Sequence, residues 1–92
     1  MKVYWTESAI AHLDAIYAYI FQDSPEFALR VIDRLTSRSQ QIASFPLSGR
    51  KVPEYDVTDI REVIESNYRI IYHITSTQIE VVALLHCARK SL

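Results

Sequence analysis

The hydrophobic period of this chain changes once along its length, and that change does most to limit its fold. Up to about Phe45 apolar residues recur every three or four positions, and from Val57 they alternate every two. A helical half and a strand half imply an α+β protein, with helices packed on one face of a mainly antiparallel sheet. The 92 residues suit a single domain spanning 1–92 with one core. One glycine and three prolines leave little material for linkers.

Lys2 to Trp5 is rich in β-branched and aromatic residues and reads as a short strand. Thr6 offers an oxygen to cap a first helix carrying Glu7 in its first turn. Ala9, Leu13, Ile16 and Ile20, joined by Tyr17, form that helix's inner stripe, and it ends near Phe21. Asp23-Ser24-Pro25-Glu26 is a stop followed at once by a start, because Ser24 caps and Pro25 at the first helical position loses no needed bond. A helical hairpin results. The second helix buries Ala28, Val31, Ile32, Leu35, Ile42 and Phe45, with Pro46 and Gly49 ending it.

In the strand half, Ile60, Glu62 and Ile64 alternate with Arg61, Val63 and Glu65, and Ser66-Asn67 supplies a tight turn. Tyr68, Ile70, Tyr72 and Ile74 then share one face, with Arg69, Ile71 and His73 on the other. After a turn at Thr75-Ser76-Thr77-Gln78, Ile79 to Leu85 is apolar except for Glu80, as expected of a strand covered on both faces. The expected order is β-α-α-β-β-β.

The formal net charge of −1 excludes a global pull on polyanions, so any nucleic-acid contact must be local. Cys87 stands alone, which rules out an internal disulfide and fits a reducing cytoplasm. His12 and His73 show no metal spacing with Cys87 or an acidic cluster, so neither metal nor cofactor is expected. Met1 to Glu7 lacks the apolar run of a signal peptide, and no stretch approaches a membrane span of about 20 apolar residues, so a cytoplasmic protein with no membrane partner is expected.

Trp5-Thr6, the Leu13-to-Ile20 run, Ser24-Pro25, Ala28, Phe45-Pro46-Leu47-Ser48-Gly49-Arg50, Ile60-Arg61-Glu62, Tyr68-Arg69-Ile70-Ile71-Tyr72 and Leu85-His86-Cys87-Ala88-Arg89 follow one another in this order. Together they resemble the ParE/RelE superfamily of toxins from type II toxin-antitoxin pairs, the ParE branch more closely. The resemblance implies a toxin neutralised by a cognate antitoxin in a hetero-oligomeric complex. In the ParE branch the implied target is DNA gyrase; in the RelE branch it is messenger RNA on the ribosome, cut by the toxin itself. RelE-type nucleases generally carry further catalytic residues beyond the last strand, whereas this sequence stops at Leu92, a departure that favours the ParE branch.

Metal-free RNA cleavage needs a base for the 2′-hydroxyl, cations for the crowded phosphate and an acid for the leaving oxygen. The comparable residues here are Arg50, Lys51, Arg61, Arg69, His86 and Arg89, provided the strands bring them together. For Arg61, neutralisation by Glu62 or Glu65 is an equal alternative, and Arg69 fits an ion pair in the scaffold better than catalysis. His86 suits proton transfer near neutral pH, but also a hydrogen-bonded structural role at the end of the sheet. Arg89 has the planar fork that recognises phosphate or carboxylate. Arg30, Arg34 and Arg38 recur every four residues on one helix face, either solvated or a docking surface for an acidic partner; with Arg61, His86 and Arg89 they form the candidate partner-binding set. Tyr17, Tyr19, Phe21 and Phe27 are expected to pack at the helix junction; any that prove exposed become candidate anchors for a partner.

Overall fold

The computed structural model describes residues 1–88, so Arg89 lies outside the described residues. Both predicted caps form: the Thr6 hydroxyl accepts from the Ala9 amide and the Ser24 hydroxyl from the Phe27 amide, each at 3.2 Å. They open α1 (Glu7–Phe21) and α2 (Pro25–Ile42), which follow β1 (Lys2–Trp5). A 3₁₀ turn at Pro46–Ser48 leads to β2 (Arg50–Lys51), and β3 (Ile60–Glu65), β4 (Tyr68–Ile74) and β5 (Gln78–His86) complete the sheet. No described helix is long and apolar enough to cross a membrane.

The expected β-α-α-β-β-β order is present, with the two-residue β2 added. The sheet order is β1-β5-β4-β3-β2, with β1 parallel to β5 and the remaining pairs antiparallel. Ser66 and Asn67 both take left-handed backbone, φ 53° and 70°, the twist a two-residue hairpin needs to join Glu65 to its partner Tyr68. α2 ends three residues short of Phe45. Ala43, Ser44 and Phe45 instead bond back three residues, and Phe45 is 69% exposed rather than part of the buried stripe.

The main core lies between the hairpin and the sheet, where Ala9, Val31, Leu35, Ile42, Ile70, Tyr72, Ile79 and Val81 are buried. A smaller cluster of Val52, Ile71, Ala83 and Leu85 fills the second face, so β5 is covered on both sides as its apolar run requires. A bulge links the two faces. Tyr72 pairs with Val81 but Ile71 with Ala83, which leaves Val82 as an extra residue. Beyond it the alternation is reversed, and Leu84 joins the helix-side core with Val81. His86, two residues further, therefore also lies on the helix side.

The start of β2 is fixed by a buried hydroxyl. Tyr72 donates to the Pro46 carbonyl at 2.7 Å and accepts from the Gly49 amide at 3.1 Å. Burial, only partly offset by the Gly49 bond and by Arg61 and Arg38, raises its pKa.

Candidate functional site

The candidate cations do not converge on His86. On the second face the Glu62 carboxylate is fully buried and accepts from Arg50 Nε and Arg69 Nε, both at 2.6 Å. The Arg69 fork turns its terminal nitrogens to Glu54 at 2.8 and 2.9 Å, tying the segment after β2 to the sheet. These two carboxylates, Glu54 foremost, hold the Arg69 pKa above its ordinary value despite burial. The scaffold role read for Arg69 in the sequence is the observed one.

Arg61 behaves differently from expectation. It lies opposite Tyr72, on the helix side, and neither Glu62 nor Glu65 neutralises it. Its Nε donates to the Thr58 carbonyl at 3.0 Å and its Nη1 to the Gly49 and Leu47 carbonyls at 2.9 and 3.5 Å. Glu62 points to the other face because adjacent strand residues alternate. Arg61 is thus a clamp on the Leu47–Gly49 corner. Lys51 is exposed at the sheet edge.

His86 stands at the other end of the hairpin, opposite Tyr68, whereas Arg61 stands opposite Tyr72. Four residues of strand separate those positions, about 13 Å. The imidazole packs edge-on against the Tyr68 ring, with centroids 5.5 Å apart, and its Nδ1 accepts from the Ala88 amide at 3.1 Å. It borders a groove of about 540 Å³ whose walls include His12, Ile16, Tyr19, Tyr68 and Leu84. No arginine, lysine or carboxylate lines this groove among the described residues. Burial, followed by the nearby Tyr19, raises the Tyr68 pKa.

The sequence considered His12 only as a metal ligand. Here its Nδ1 accepts from the Leu84 amide at 3.1 Å. β1 pairs with β5 only from Gln78 to Val81, so His12 satisfies an amide that strand leaves open. Tyr19 was expected to pack between the helices, but it is 72% exposed on the groove's rim. Phe21 and Phe27 are also partly exposed, at 46% and 42%, with Arg30 5.7 Å from the Phe27 ring centroid. Tyr17, by contrast, is half-buried and packs on Phe21.

A model of the ParE toxin of type II toxin-antitoxin systems, parDE, matches residues 3–91. The chain belongs to the ParE toxin family. Among its relatives, toxin RelE2 of Caulobacter vibrioides is 35% identical over 89 residues, covering 96% of this chain and 97% of that protein. Y4kP of Sinorhizobium fredii, a candidate toxin, is 33% identical over 91 residues, covering 97% of this chain and 91% of its own. A chain of the chromosomal ParDE system from P. aeruginosa superposes with a TM-score of 0.77 over 94% of this chain and 95% of its own, at 24% identity. This last similarity is one of fold, and it matches the two-helix, mainly antiparallel arrangement found here.

For this ParE-family chain the Arg69–Glu54 pair sets a pH response. The Arg69 hydrogen bonds, and then one from its own backbone, depress the Glu54 pKa below 4.5. The stability this pair contributes is therefore complete above the unfolded glutamate value and lost as pH falls through the lower folded one. Melting temperature measured from about pH 5 down to about pH 3 should fall, and Glu54→Gln should flatten that fall. An unchanged acid profile in the variant would show the pair to be inert.

Proposed function

We propose that this toxin arrests growth by binding DNA gyrase and stalling its DNA-cleaved state, without bond-breaking chemistry of its own. In the cytoplasm a cognate antitoxin holds it inactive in a hetero-oligomeric complex. The observation that carries this reading is the capture of the candidate catalysts. Arg50 and Arg69 are ion-paired to Glu62, Arg61 is bound to three backbone carbonyls, and His86 borders a groove without cations among the described residues. A binding toxin needs none of them free. The groove and the exposed Tyr19 offer the apolar and aromatic surface on which protein partners gain most affinity.

The second reading is ribosome-dependent cleavage of messenger RNA. It is favoured by the likeness to toxin RelE2 and draws on Arg50, Lys51, Arg61, His86 and Arg89. One pair of assays separates them. Purified toxin in excess should block gyrase supercoiling and accumulate cleaved DNA, while induced cells show no new cuts in translated messages. Full supercoiling at excess toxin, with fresh cuts mapped by primer extension, would replace the first reading with the second.

A further inference from the structure

On α2 the Arg30, Arg34 and Arg38 stripe has no ion pair with any carboxylate among the described residues, although Glu26 and Asp33 lie on the same helix. The three positions rise about 12 Å along the helix and spread through about 80°, with Phe27 and Gln41 inside the same arc. Arg30 and Arg34 are exposed, and Arg38 is half-buried beside Gln41, its Nη1 3.5 Å from the Gln41 Oε1. Exposed apolar groups close both ends. Phe27 lies under Arg30 at one end, and Phe45 shares a groove with Arg38 at the other.

From this we propose that the stripe is the docking surface for an acidic segment of the antitoxin, its carboxylates meeting the three guanidinium groups and its apolar residues covering Phe27 and Phe45. The proposal rests on the toxin-antitoxin reading above and names where on the toxin that partner lies. Charge complementarity selects the occupant's sign. The exposed phenylalanines and the overall charge of −1 favour a protein segment over a nucleic-acid backbone. Arginine and aromatic side chains are also the types that concentrate binding energy at protein interfaces.

The test uses the full-length toxin and the protein encoded by the adjacent reading frame, with affinity measured at low and at high salt. Combined Arg30→Ala, Arg34→Ala and Arg38→Ala should weaken binding roughly tenfold or more and flatten its salt dependence, in line with three lost charge contacts. A Lys2→Ala and Lys51→Ala control, removing positive charge elsewhere, should bind as the parent does. If the triple variant melts early, Arg34→Glu alone is read instead, because Arg34 is exposed and bonded to no described residue. Unchanged affinity in the folded variant overturns the proposal and leaves the toxin-antitoxin reading standing. Failure of the unaltered toxin to bind its neighbour overturns both. Unweakened antitoxin binding with lost affinity for a short DNA duplex would assign the stripe to nucleic acid and overturn it as well.

Discussion

Glu62→Ala should cost about 3–5 kcal/mol, enough to remove much of the stability of a domain this small. The carboxylate is fully buried, and Arg69 beside it is only 7% exposed, so the truncated protein keeps a guanidinium whose remaining carboxylate among the described residues is Glu54. The loss reaches beyond one bond, because Arg69 also fastens the segment that carries Glu54 and the fully buried Val52 over the second face. Denaturant midpoints provide the measurement. Glu62→Leu combined with Arg69→Leu should recover much of the loss, since both charges are then absent from the interior. A single Glu62→Ala variant as stable as the parent would remove the network from any account of this fold.

The second large effect is expected at Gly49. A β-carbon there would lie 2.5 Å from both the Glu62 carbonyl oxygen and the Tyr72 hydroxyl. The first is backbone opposite Arg50 in the β2–β3 pairing, and the second is held by the Pro46 carbonyl, so neither yields easily. Gly49→Ala should cost about 1–3 kcal/mol or more, lowering the melting temperature by at least about 4–8 °C. Tyr72→Phe should cost about 1–3 kcal/mol by another route, leaving the buried Gly49 amide without its acceptor. The two effects should not add. Removing the hydroxyl relieves one of the alanine's two clashes, so the double variant should melt above the sum of the single losses. Strict additivity would mean that Gly49 and Tyr72 act independently.

Both predictions concern residues whose type was readable and whose partners were not. Strand alternation placed Glu62 and Arg61 on opposite faces, yet neutralisation of Arg61 by its neighbour remained an expectation. That pairing fails because consecutive strand side chains diverge. The acceptors Arg61 finds are carbonyls of a corner fourteen and twelve residues away, and nothing local in a sequence encodes such a meeting. Glu62 likewise meets Arg50 and Arg69 only through the register of three strands.

By itself the sequence determined the helical hairpin, through the Thr6 and Ser24 caps and Pro25, and the β3–β4 hairpin, through Ser66 and Asn67. It also determined the buried character of β5, because these depend on short-range geometry and apolar period. The tertiary structure alone decided where the candidate residues stand. Plain alternation from Ile79 would put His86 on the face away from the helices, but the extra residue Val82 reverses the count and sets His86 beside Tyr68 and the α1 groove. A bulge is chosen by packing on both sides of the sheet rather than by the turn that joins β4 to β5, so its effect on His86 became visible only once the strands were paired.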